Sequence, residues 1–139
     1  MLFRSWRDSR ASGEKHTALV EVSGVISSCS ATSADIVMQA LGEAFKDKRT
    51  AGVIVRINSP GGSPVQAGII NDEIRRLKAL HKKKVYAVVE ETCASGAYYI
   101  AVAADEIFVD KASIVGSIGV LMDGFGFTGL MDKIGRAHV

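Results

Sequence analysis

Ser95 is the residue of this chain best suited to act as a nucleophile. It stands in Cys93-Ala94-Ser95-Gly96-Ala97-Tyr98-Tyr99-Ile100-Ala101. Before it, the apolar run Val85 to Val89 reads as a buried strand. After it, the Ala-rich segment Ala97 to Ala104 reads as a helix. A hydroxyl at a helix start lies beside free backbone N–H groups and the positive end of the dipole. Gly96 lets the backbone turn sharply and lets a substrate come close. A serine that attacks a carbonyl needs both: an exposed hydroxyl, and donors for the oxyanion it creates. The plainer reading of a lone Ser-Gly at a helix start is an N-cap.

A second loop changes the balance. Asn58-Ser59-Pro60-Gly61-Gly62-Ser63 also lies between a strand and a helix. Open α/β sheets bind ligands at the carboxyl ends of their strands, where both loops fall. If the two strands are neighbours, the N–H of Gly61 or Gly62 and that of Gly96 can point at one spot near the Ser95 hydroxyl. Tandem glycine removes the Cβ atoms that would block a carbonyl oxygen there. Alone, the loop also reads as a plain turn. As a phosphate cradle it lacks the lysine and Ser/Thr ending of a P-loop.

Ser95 also needs a base. His16, His81 and His138 are the only histidines, and none follows the elbow at a structured strand end, which argues against a Ser-His-Asp triad. A neutral lysine can serve if burial lowers its pKa. Lys111 and Lys133 are the only lysines after the elbow. Lys111 adjoins Asp110 in a charged turn, which would keep it protonated, and Lys133 stands six residues from the end. Neither makes a convincing base.

The elements that must position these residues follow from periodicity. Strands are expected near Ala18–Val22, Val53–Ile57, Val85–Val89 and Ile107–Val109. Gly52 to Ile57 is apolar enough for a strand covered on both faces. Helices are expected near Ala34–Phe45, Pro64–Leu80 and Ser95–Ala103. In the first, capped by Ser33, residues Ile36, Val37, Ala40, Leu41, Ala44 and Phe45 share one face. The second opens on Ser63, Pro64 and Gln66, an N-cap, a proline at N1 and a capping-box partner. Ala112 to Leu121 reads as extended, its glycines marking close backbone approach. Asp123-Gly124 signals a turn, and Thr128 is suited to cap a last helix. Strands alternating with helices argue for α/β with a largely parallel sheet.

Composition sets the bounds. The 139 residues are 47% apolar, enough for one globular domain. A net charge of +2 is too small to argue for nucleic acid or an anionic membrane surface. No apolar run approaches a membrane span, and no signal peptide is visible. Cys29 and Cys93 have no metal or redox spacing and read as free thiols.

Taken together, Asn58 to Ser63, Ala94 to Ala101 and Gly116-Ser117-Ile118-Gly119-Val120 resemble the signal peptide peptidase A family, peptidase family S49. The resemblance covers roughly His16 to Asp132. It implies a ClpP/crotonase-like spiral of β-β-α units and a serine endopeptidase working by a Ser/Lys dyad. Substrates would be remnant signal peptides or membrane-associated polypeptides. The nucleophile falls on Ser95, the oxyanion loop on Gly61 and Gly62, and the second donor on Gly96. No metal or cofactor is implied.

The family motif has a second glycine where this chain has Ala97, whose methyl could narrow the site. The family's lysine lies downstream of Gly-Ser-Ile-Gly-Val, beyond a helix resembling Gly129 to Lys133, so the general-base lysine is expected outside this chain. The intact protein is expected as a homo-oligomeric ring at the bacterial inner membrane, held by an anchor absent here, with its catalytic domain outside the bilayer. Both ends therefore read as cut. Residues 1–15 read as a polar stub and 16–133 as an incomplete peptidase domain. Residues 134–139 can be encoded as ATC-GGA-AGA-GCA-CAC-GTC, a common sequencing adapter, and read as a non-native tail. Two other readings compete: a crotonase-like acyl-binding enzyme, which shares the oxyanion logic without needing the serine, and a non-catalytic scaffold subunit.

Overall fold

A computed structural model describes residues 3–5 and 15–119. In chain order the elements are β1 (Phe3–Ser5), β2 (His16–Ser23), α1 (Ala34–Lys46), β3 (Thr50–Ser59), α2 (Pro64–His81), β4 (Lys84–Ala94), α3 (Gly96–Ala101), β5 (Glu106–Phe108) and β6 (Ile114–Gly116). The expected elements are present, with ends shifted by a few residues. The turn at Asp123-Gly124, the helix capped by Thr128 and the tail at 134–139 lie outside the described residues.

The sheet runs in the order β1-β2-β3-β4-β5. β2, β3, β4 and β5 are parallel, while β1 is antiparallel to β2. β6 continues the β5 edge, pairing with β4 at Thr92–Ala94 where β5 pairs at Tyr86–Val88. Parallel strands laid down in sequence order, with crossovers of one hand, put the helices on one face. There α2 packs between α1 and α3. β1 comes from the stretch read as a polar stub. Its pairing covers backbone groups that an edge strand would leave open.

The core lies between that helix layer and one face of the sheet. Val20, Val22, Val53, Val55, Ile57, Val85 and Ala87 are buried there against Val37, Leu41, Phe45, Ile70, Ile74 and Leu77. The other face is less covered. Ile54 and Arg56 are half-buried, and Arg56 pairs with Glu21 on β2 and Glu90 on β4. β3 is thus covered on one face, not two: Ile54 is apolar without being core. Ile36 on α1 likewise points outward, 41% exposed. Helical spacing locates a stripe, and packing decides its margin.

α3 is shorter than expected. Its last turn tightens, with Ala103 N–H donating to Ile100 O and Ala104 N–H to Ala101 O. These three-residue closures end the helix before Asp105, whose carboxylate accepts from Val85 N–H at the start of β4.

Candidate active site

β4 ends at Ala94 and α3 begins at Gly96, so Ser95 alone makes the turn between them. Its backbone is at φ 53° and ψ −122°, which L residues rarely adopt. Both backbone groups of Ser95 are engaged. Its N–H donates to Gly116 O on β6 at 2.9 Å, and its C=O accepts from Tyr99 N–H at 3.1 Å. The hydroxyl has no hydrogen-bond partner among the described residues and does not cap α3. The N-cap alternative is therefore incomplete: Ser95 occupies the cap position, but its side chain does no capping. A strained strand-to-helix turn of this kind holds a serine hydroxyl clear of the helix.

The Gly61-Gly62 loop leaves β3, the strand beside β4; the two strands are in register up to Ile57 and Val89, and after an irregularity Ser59 pairs with Cys93. The two glycines do different things. Gly61, at φ 93°, packs on the elbow itself. A Cβ there would meet Ala94 O at 2.6 Å, Gly96 N at 2.8 Å and the Ser95 Cβ at 2.8 Å. Gly62, at φ 147°, packs the other way, and a Cβ would collide with Ile26 O. The glycines are thus required first for backbone packing. Gly61 N–H donates to the buried Ser59 Oγ at 3.0 Å and is already engaged. Gly62 N–H has no acceptor among the described residues. Gly96 N–H, at the first position of α3, is one of that helix's orphan donors. Gly62 N lies 3.6 Å from where a Gly96 Cβ would stand, so the Gly62 N–H is beside the start of α3. Of the two candidates in the loop, the available N–H is that of Gly62.

Gly62, Ser95 and Gly96 open into a cavity of about 490 Å³, walled by Pro64, Tyr98, Tyr99, Val102, Ile118 and Gly119. None of these carries a charge. Tyr98, Tyr99, Val102 and Ile118 were not singled out as site residues. The helical spacing of Tyr98, Tyr99 and Val102, just after a nucleophile candidate, was the available signal. Ala97 is fully buried and takes no part in the wall, so its methyl does not narrow the cavity.

Cys93, two residues before Ser95, offers no competing nucleophile. It is buried, and burial raises its thiol pKa to about 11. The thiolate that would react is therefore scarce.

The candidate bases sit elsewhere. His16 begins β2, with Nε2 at 3.2 Å from Thr50 Oγ1 and 3.6 Å from Asp47. His81 ends α2 against Phe45. Both lie where strands begin, at the opposite end of the sheet from Ser95. Lys83 is there too, donating to Phe45 O and Asp47 O at 2.7 Å. Burial lowers its pKa, only partly opposed by Asp47, but it is far from the elbow. Lys111 is exposed and outside the cavity wall. It makes no ion pair with Asp110 among the described residues. The Asp110 carboxylate accepts instead from Ala112 N–H at 2.9 Å, because the tight turn brings that donor closer than the flexible lysine head. Lys133 and His138 lie outside the described residues.

A model of peptidase family S49 matches residues 78–137, which include β4, the elbow, α3 and β6. Over 95 residues the chain is 55% identical to a Brucella melitensis protein named Na(+)/H(+) antiporter NhaA; the match takes 68% of this chain and 13% of that protein. Over 90 residues it is 38% identical to the putative signal peptide peptidase SppA of Enterococcus faecium, covering 65% of this chain and 26% of that one. The chain thus spans under a third of the length of either relative. Transport is said of the Brucella protein alone, and among the described residues no helix is long and apolar enough to cross a membrane. A ClpP1 mutant from Listeria monocytogenes superposes with a TM-score of 0.51 at 25% identity, over 62% of this chain and 46% of that one. The fold is that of ClpP: a parallel sheet with alternating strands and helices, in the α/β class. A family match that spans the elbow and the strand pinning it, joined to this fold, supports peptidase family S49 as the family this chain is similar to.

Proposed function

We propose that these residues form the nucleophile half of a serine endopeptidase, with Ser95 as nucleophile and the N–H groups of Gly62 and Gly96 as the oxyanion hole. The observation that carries this reading is the meeting of a hydroxyl with no partner among the described residues, on a strained turn, with the backbone donors of Gly62 and Gly96. The Ser95 Oγ attacks the carbonyl carbon of the scissile peptide bond. The negative charge moves to the carbonyl oxygen, which accepts from Gly62 N–H and Gly96 N–H. A base takes the hydroxyl proton and returns it to the leaving amine, and water then hydrolyses the acyl-enzyme.

The base in this reading is a lysine from outside residues 15–119, since the lysines within them lie at the far end of the sheet or outside the cavity wall. The substrates are polypeptides. Signal peptides are the class suggested by the name of the Enterococcus relative, and membrane-associated chains extend the same proposal. A ring of copies and attachment to the bacterial inner membrane belong to the same proposal, supported by the ClpP-like fold and the family.

A fluorophosphonate probe and a peptide-hydrolysis assay on a longer protein carrying these residues test it. Ser95 is expected to label, and Ser95→Ala to lose both labelling and hydrolysis while keeping its melting temperature. Undiminished hydrolysis in Ser95→Ala would reject the assignment.

A further inference from the structure

α3 is six residues long, so its carbonyl end is close to its amino end. Side chains of α2 take one of its carbonyls and one just past its end. Asn71 Nδ2 donates to Tyr99 O at 2.5 Å, and Lys78 Nζ donates to Ala103 O at 2.9 Å. Asn71 is only 2% exposed, and its Oδ1 accepts from Arg75 Nε at 2.8 Å. Both ends of its amide are therefore in use, which fixes its orientation. Helical spacing makes Asn71 a neighbour of Ile74 on the core side of α2, where a polar residue is costly unless it is bonded. The other end of α2 begins at Ser63, directly after Gly62. One rigid helix thus touches both proposed oxyanion donors: it follows Gly62 covalently and grips the helix that starts at Gly96.

We propose that Asn71 is a positioning residue: by holding the Tyr99 carbonyl, it fixes α3 on α2 and so sets the Gly96 N–H against the Gly62 N–H. The catalytic consequence rests on the function proposed above, while the structural part does not. Without the bond, α3 keeps its apolar contacts through Ile100 and Ala101 but loses the tie that fixes its rotation. Small displacements of an oxyanion donor are expensive in rate.

The test compares Asn71→Leu, which keeps volume but removes the amide, with Ile74→Val, a packing change one turn away. Two readouts are taken on the longer folded protein that tests the proposed function: amide hydrogen exchange across these residues, and the rate constant of Ser95 phosphonylation. In Asn71→Leu the α3 amides are expected to exchange about tenfold faster, the size of effect one lost hydrogen bond can give, while the α1 amides stay as in the wild type. Phosphonylation is expected to fall about tenfold or more. Ile74→Val is expected to change neither selectively. Unchanged α3 exchange in Asn71→Leu, or an equal change in Ile74→Val, would overturn the proposal. Wild-type Ser95 that labels no better than Ser95→Ala would reject the proposed function instead, and exchange would still decide whether Asn71 holds α3.

Discussion

Gly61→Ala is the sharpest single perturbation of the site. At φ 93° an L side chain is strained by about 1–2 kcal/mol. The new Cβ would stand 2.6 Å from Ala94 O, where ordinary contact begins at 3.4 Å, so that carbonyl must recede by about 0.8 Å. Gly96 N and the Ser95 Cβ, both at 2.8 Å, must recede by about 0.6 Å. All three are elbow atoms in a packed corner, and overpacking typically adds about 1–3 kcal/mol. The expected loss of stability is about 2–5 kcal/mol by urea unfolding. The elbow moves relative to the Gly62 N–H, so Ser95 phosphonylation in a longer protein carrying these residues should fall about 100-fold even where it is fully folded. Gly42→Ala is the matched control. It lies in α1, a Cβ there meets nothing within 4 Å, and it should stabilise by up to about 1 kcal/mol. It also supplies a background in which Gly61→Ala stays folded. A Gly61→Ala protein within about 0.5 kcal/mol of the wild type, labelling at the wild-type rate, would refute the packing argument.

Three further outcomes are expected. The 139-residue chain alone should label at Ser95 barely above Ser95→Ala, because general-base help is typically worth about 100- to 10,000-fold; strong labelling that disappears in Lys111→Ala would make Lys111 the base. Titration with a thiol reagent near pH 8 should find one fast thiol, the exposed Cys29, and a second only on unfolding, because the Cys93 pKa is raised to about 11; two fast thiols in the native protein would contradict the burial. For Asp105, burial raises the carboxyl pKa, but Val85 N–H, Lys78 and Lys84 outweigh it and hold the group below its ordinary value. Its contribution is thus present above the unfolded carboxylate range, about pH 4, and is lost as pH falls through the lowered native value. Asp105→Asn should flatten the acid limb of a stability-against-pH curve, and an unchanged limb would count against this.

What could be read in advance was whatever rests on periodicity or turn chemistry. Val53, Val55 and Ile57, or Ile70, Ile74 and Leu77, announce their elements by spacing alone. Ser95-Gly96 stood out because it falls where the period changes from strand to helix. Gly61 and Gly62 look equivalent in sequence, and only the bond from Gly61 N–H to Ser59 Oγ separates them. The Asp110–Lys111 pair looked plausible because adjacency was the only available measure. A local backbone donor, already ordered by the turn, reaches the carboxylate first. Gln66 does only part of what its capping-box position suggests. Its N–H is capped by Ser63 Oγ at 3.3 Å, but its side chain accepts from Ala34 N–H at 2.7 Å, so it caps α1 and not its own helix. Asn71 left one clue, a polar residue among α2's core positions. Its partner, the Tyr99 carbonyl, is a backbone atom that no side-chain pattern can name.

The strain at Ser95 links these observations. A non-glycine residue in such a conformation costs about 1–3 kcal/mol and persists only where its surroundings overdetermine it. Here Gly116 O holds its N–H, Tyr99 N–H holds its C=O, and the Gly61 backbone packs on its flank. Two net hydrogen bonds at about 1 kcal/mol each are comparable with the cost. Glycine at position 95 would relieve the strain but remove the hydroxyl, so local stability alone would not select serine. That makes the elbow a place where sequence and fold disagree locally, and such disagreement is expected at functional sites. β6 therefore matters beyond sheet formation. It supplies the Gly116 carbonyl that holds the elbow, and Gly116 itself takes φ 125°, a backbone conformation L residues rarely adopt, which accounts for a glycine there.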